Sequence, residues 1–174
     1  PEVIGLMQHL RKSEADTTML IAKMVDIAAA AWSHSREIVR NFLAEPLWKP
    51  GLVEYESFAA SLSDTEALRQ MDLEGCHLAV VQNCLNDVPA GTQPEVVDNI
   101  LEVFRRLSPG AIALVIDRTG YNATSEMMKR MHKLAAGIER LTPIGDADPP
   151  KKRISCLNML YDVPSIITDN VLHR

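Results

Sequence analysis

Cys76 to Asp87 reads CHLAVVQNCLND: an uncharged run, His77 to Val81, and then an abrupt turn to polar side chains at Gln82, Asn83, Asn86 and Asp87. A short apolar run flanked by turn signals predicts a strand buried on both faces, as in parallel sheets. In open α/β sheets, ligands bind just beyond the carboxyl ends of such strands. The polar cluster is therefore the first candidate site. The same side chains also suit a plainer role, capping the loop and helix that follow.

The flanking sequence fits a strand in alternation with helices. Downstream, Thr92 to Leu107 predicts a helix, with Pro94 and Glu95 in its first turn and Arg105-Arg106 in its last. Ser108-Pro109-Gly110 stops it, and Ala111 to Ile116 is a second uninterrupted apolar run, ending at Asp117. Asn122 to Arg140 is helical, with Met127, Met128, Met131 and Leu134 inward. Thr142 to Pro150 is a loop, and Ile154 to Leu160 and Ser165 to Leu172 are strands. Upstream, Pro1 to Lys12 is a helix with Val3, Ile4, Met7 and Leu10 at helical spacing. Thr17 to Val25 is a strand ending at Asp26. Ala28 to Ala44 is an amphipathic helix carrying Trp32, Ile38, Val39, Phe42 and Leu43 on one face. Leu52 to Phe58 alternates apolar and polar residues, the mark of a half-buried strand near a sheet edge. Ser63-Asp64-Thr65-Glu66 then starts a short helix, Asp64 to Met71. Strict alternation with buried strands predicts an α/β layer fold, doubly wound, with a mostly parallel sheet and helices on both faces.

Composition narrows the function classes. The chain has 174 residues, 47% hydrophobic and 24% charged, an ordinary globular profile sufficient for a single domain. The formal charge is -5, and basic residues are scattered apart from Lys151-Lys152-Arg153, so nucleic acid is not indicated as a partner. Cys76, Cys84 and Cys156 have neither metal nor disulfide spacing; reduced thiols predict an intracellular, cytoplasmic setting and no metal site. No run is long enough to span a bilayer, so no membrane role is expected.

Three features fall at predicted strand ends. Asp26 follows an apolar strand and precedes a helix; a carboxylate there can accept two hydrogen bonds from a ribose diol, or it can cap the helix. Phe58-Ala59-Ala60-Ser61-Leu62 offers small residues and one hydroxyl, against which an adenine ring could lie, though a plain loop would look the same. Gln82-Asn83 is the third.

MVDIA (Met24 to Ala28), VEYESFAASLSD (Val53 to Asp64), CHLAVVQNCLNDV (Cys76 to Val88) and LEVFRRLSPGAIALVIDRTGY (Leu101 to Tyr121) together resemble a class I S-adenosylmethionine-dependent methyltransferase. The last is the most telling: a helix ending in Leu-x-Pro-Gly, then an apolar strand ending in Asp, is similar to that family's fourth-helix to fifth-strand junction. The resemblance covers most of the chain. It implies a Rossmann-like methyltransferase fold, incomplete at its N-terminus, with S-adenosylmethionine as cofactor and an unidentified methyl acceptor as partner. Asp26 matches the acidic residue that binds the ribose hydroxyls, and Ala60 and Ser61 lie where adenine is held. Gln82 and Asn83 match the residues that position the methionine part and the methyl. Asn86, Asp87 and Tyr121 lie at the implied substrate mouth.

Two departures qualify the likeness. The family's glycine-rich loop has no counterpart before the first helix, so Pro1 would start just downstream of it. The missing first strand would then lie between the strands at Thr17 and His77. Either another segment or chain supplies it, or those two strands pair directly; unpaired backbone groups left buried cost about 1–3 kcal/mol each. The fourth-strand tetrapeptide is Gln82-Asn83-Cys84-Leu85, not Asn-Pro-Pro-Tyr or Asp-Pro-Pro-Tyr, which disfavours methylation of a base amino group. No catalytic base stands out, and methyl transfer can proceed by alignment of nucleophile and methyl. The alternative is a non-catalytic methyltransferase-like binding or structural subunit.

Overall fold

A computed structural model of the chain describes residues 2–13, 19–43, 52–117 and 122–143. The expected strands at 154–160 and 165–172, and Tyr121, lie outside the described residues. The order of elements follows the expected alternation: α1 (Glu2–Lys12), β1 (Met19–Val25), α2 (Ser33–Ile38), β2 (Leu52–Phe58), α3 (Thr65–Gln70), β3 (Leu78–Gln82), α4 (Gln93–Arg105), β4 (Ile112–Ile116) and α5 (Asn122–Ala135). The described residues up to Ala79, with Val88–Leu114, form one compact unit; Val80–Asp87 and the described residues from Val115 onward form a second. Among the described residues, no helix is long and apolar enough to cross a membrane.

The strands form two two-stranded sheets among the described residues, β1 with β2 and β3 with β4. β1 and β2 are parallel, in a register that sets Leu20 beside Val53 and Val25 beside Phe58. The second pair is also parallel. Ile112 N donates to His77 O at 2.9 Å and Asn83 N to Ile116 O at 2.9 Å, so both strands advance together. The sequence is therefore α/β with two small parallel sheets, compatible with a Rossmann-like arrangement. Among the described residues, β1 does not pair directly with β3, one of the two expected solutions.

Period-2 alternation explains how β2 is covered. Val53 is fully buried and Glu54 exposed, with Tyr55 half-buried and Glu56 exposed. Met7 of α1 packs on Val53, surrounded by Val3, Ile4, Leu10, Leu20, Val39 and Tyr55. Burying a side chain such as Met7 completely is worth about 1.5–3 kcal/mol. Further along, Leu68, Met71 and Leu73 form a second cluster with Val25, Phe58, Cys76 and Val103. Asp64 caps α3 by accepting from Ala67 N at 3.0 Å, as the Ser-Asp-Thr-Glu signal predicts. Lys23 on β1 lies opposite Glu56 on β2 in the register. Its ammonium reaches Glu56 at 3.5 Å and Asp72 at 3.4 Å. Burial works against this charge, but the carboxylates of Asp72 and Glu56 outweigh it and raise the Lys23 pKa.

Several expectations need correction. The stretch from Ala28 to Ala44 is not one amphipathic helix. It is a 3₁₀ turn at Ala29–Trp32, the six-residue α2, and a π-helical turn at Val39–Leu43. Trp32 and Ile38 are 48% and 51% exposed, while Ala29 and Val39 turn inward. The local reason is polar: Trp32 Nε1 bonds to Asp26 and Arg36 Nη1 donates to Ala29 O at 2.7 Å, which holds the first turn tight. Nor is β3 buried on both faces. Leu78 and Val80 are exposed, as are Ile112, Leu114 and Ile116 of β4. Side chains two apart share a face of a strand, so in each strand one apolar row is open. α5 ends at Ala135 rather than Arg140, and Leu134 is exposed although Met127 and Met131 are buried.

Candidate functional site

The carboxyl ends of β1 and β2 are held level. Asp26 N donates to Phe58 O at 3.1 Å, one residue beyond the last register pair, Val25 with Phe58. This places Asp26 and the Ala59–Ser61 turn at the same end of two hydrogen-bonded parallel strands. The half-buried Asp26 carboxylate is tied locally at both oxygens. Oδ1 accepts from Ala28 N at 2.7 Å and Oδ2 from Trp32 Nε1 at 3.2 Å. The capping role is thus realised. It does not exhaust the group, because an ionised carboxylate offers about four lone-pair sites and these bonds occupy two.

Ala60 is buried beside this end. Ser61 Oγ is engaged in its own turn, 2.9 Å from Ser63 Oγ, and accepts from Ser63 N at 3.2 Å. Asp64 N then donates to Ser61 O at 3.0 Å. Below it, Asn99 of α4 donates from Nδ2 to Leu62 O at 2.9 Å and accepts from Thr65 Oγ1 at 3.0 Å. Asn99 is 8% exposed, and these bonds satisfy both ends of its amide while fixing the turn to α4. A cleft of about 170 Å³ between α3 and α4 is lined by Thr65, Arg69, Asp98, Asn99, Glu102 and Arg106 among others. None of the expected site residues lines it.

The carboxyl ends of β3 and β4 form the second group. Asn83 adopts φ 52°, a left-handed conformation that asparagine tolerates better than most residues. This turns the chain sharply while Asn83 N remains bonded to Ile116 O. Asp117, one residue past β4, accepts from Leu85 N through Oδ2 at 2.7 Å. Leu85 is fully buried, so the turn is held by the Asp117 carboxylate and by the burial of the Leu85 side chain. Cys84 Sγ donates to Gln82 O at 2.9 Å. Asn86 Nδ2 donates to Asp87 Oδ1 at 2.8 Å, whereas Asn86 Oδ1 is buried without a partner. Thr124 Oγ1, on α5, is likewise buried without a partner; α5 packs against the Leu85–Asp87 turn.

The structure thus brings Asp26, Ala60 and Ser61 together at one strand end of the first unit, and Gln82, Asn83, Asn86 and Asp87 together at a strand end of the second. Trp32, Asp117 and Thr124 are not among the site residues that the sequence points to. Asp117 could have been found, since it ends an apolar strand as Asp26 does. Trp32 could not, because six residues of separation reach back to Asp26 only through a 3₁₀ turn. Among the described residues, no group of three or more His, Cys, Asp or Glu side chains is placed to hold a metal ion. Comparison with known proteins finds no matching family model, curated protein or solved structure.

Proposed function

We propose that the protein binds S-adenosylmethionine and takes part in methyl transfer to an acceptor. One observation carries the proposal: a half-buried aspartate with lone pairs to spare stands at the carboxyl end of a parallel strand, level with a small-residue turn on the neighbouring strand. That is where α/β sheets take ligands. The donor set fits a nucleoside. Asp26 accepts from ribose hydroxyls, and the small residues of the Ala59–Ser61 turn are assigned to the adenine ring. The cofactor, when bound, supplies a sulfonium-activated methyl group. The residues of this chain bind and orient: Asp26, Ala60 and Ser61 are assigned to the nucleoside part of the cofactor. Within the second unit, the left-handed Asn83 and the Asp117 bond to Leu85 N fix the backbone of the turn after β3.

The test is calorimetric titration of the purified protein with S-adenosylhomocysteine, repeated on Asp26→Ala. Saturable binding that weakens at least tenfold in the variant, with the fold retained by circular dichroism, supports the reading. No heat and no thermal shift with the unmodified protein would remove it.

A further inference from the structure

We infer that Trp32 is a positioning residue that aims the Asp26 carboxylate at a vicinal diol and so makes the site selective for ribose over deoxyribose; this rests on the cofactor reading above. Trp32 lies six residues beyond Asp26, and its indole N–H donates to Asp26 Oδ2 at 3.2 Å. The other oxygen, Oδ1, accepts from Ala28 N at 2.7 Å. The terminal torsion of an aspartate is broad and roughly two-fold. A single backbone contact would leave the carboxylate free to swing; a donor on each oxygen fixes its plane. Both donors are donor-only groups, so they hold the carboxylate while leaving lone pairs that can only accept. Two hydroxyls on adjacent carbons, each donating to one oxygen, match that demand, and a single hydroxyl meets half of it.

Burial does not account for the position of this side chain. The Trp32 ring is 48% exposed, in a segment where Ile27 is 77% exposed. The turn that presents it is itself pinned: Arg36 Nη1 donates to Ala29 O at 2.7 Å, and Ala29 is buried. The sequence thus spends an arginine bond and a 3₁₀ turn to return one indole N–H to one carboxylate oxygen.

The experiment measures the affinities of S-adenosylhomocysteine and of its 2′-deoxy counterpart for the unmodified protein, Trp32→Phe and Asp26→Asn. The phenylalanine variant keeps the ring and removes the N–H. The expected result is that Trp32→Phe weakens S-adenosylhomocysteine binding about 3- to 10-fold, the worth of one oriented hydrogen bond, and changes 2′-deoxy binding less than twofold. A purely structural role would weaken both ligands alike, and that outcome overturns the inference. If Asp26→Asn leaves both affinities unchanged, the cofactor reading itself fails. If Asp26→Asn abolishes the preference for ribose and Trp32→Phe does not touch it, only the role of Trp32 fails. A second readout uses the unmodified protein labelled with ¹⁵N-tryptophan: the Trp32 indole resonance must move on saturation with S-adenosylhomocysteine, and an unmoved resonance also overturns the inference.

Discussion

Arg106 ties two helices together through backbone oxygens, and its removal has a calculable cost. The residue caps the end of α4, and its guanidinium reaches the end of α3. Nη1 donates to Leu68 O at 2.8 Å and Nη2 donates to Met71 O. α3 has only six residues, so its last carbonyls have no partner within the helix. Leu68 and Met71 are 4% and 5% exposed, which limits how well water can replace the lost donors. Hydrogen bonds from a charged donor contribute about 1.5–3 kcal/mol each. Because the Arg106 side chain is itself half-buried, the lower part of that range applies, and Arg106→Met should cost about 3–4 kcal/mol in total. Methionine keeps the apolar stem, so the loss isolates the guanidinium. For a chain of this size each kcal/mol moves Tm by about 2–4 °C, so thermal unfolding by circular dichroism should show a drop of roughly 5–15 °C. Arg106→Lys should recover only about half, since one ammonium cannot serve both carbonyls with a fork's geometry. A loss under about 1 kcal/mol, or a lysine variant as stable as the parent, would refute the reasoning.

Two further outcomes follow from electrostatics and burial. The Glu74 N–H, followed by the Lys23 ammonium, holds the Asp72 pKa below the ordinary aspartate value. A carboxyl whose pKa is depressed on folding stabilises the protein above its unfolded pKa and loses that contribution as pH falls through the folded value. Asp72→Asn should therefore lower Tm at pH 7, and the gap should close as pH drops below the carboxylate range; a gap constant from pH 7 to pH 2 would contradict this. Thr124 Oγ1 is buried without a partner, so Thr124→Val, nearly equal in shape, should stabilise the protein by about 1 kcal/mol in urea unfolding. A loss of stability there would mean that the hydroxyl is bonded.

Much of the fold is legible in the residues taken in order. α1, α3 and α4 form within two residues of their expected bounds. α4, with Pro94 and Glu95 at its start and Arg105 at its end, is the plainest case. The alternation in β2 survives because Val53 and Glu54 have opposite needs, and only one register satisfies both. Asp64 caps α3 because its carboxylate is the nearest acceptor for the first N–H groups. The segment after Asp26 was misread for a related reason. Its apolar residues fit a helical stripe, but two polar contacts, Trp32 to Asp26 and Arg36 to Ala29, bend the chain into shorter turns and leave Trp32 and Ile38 outside.

By itself the sequence determined the alternation of helices and strands among the described residues and the placing of polar residues at strand ends, since these follow from side-chain periodicity and local caps. The tertiary structure decided what periodicity cannot carry. It chose which strands pair and in which direction, because backbone hydrogen bonds do not depend on side-chain identity. It left one row of each of β3 and β4 open, because burial depends on what packs above a strand and not on the strand's own composition. It also brought Trp32 to Asp26 and Asp117 to Leu85, contacts between single atoms across turns whose geometry only the folded chain defines.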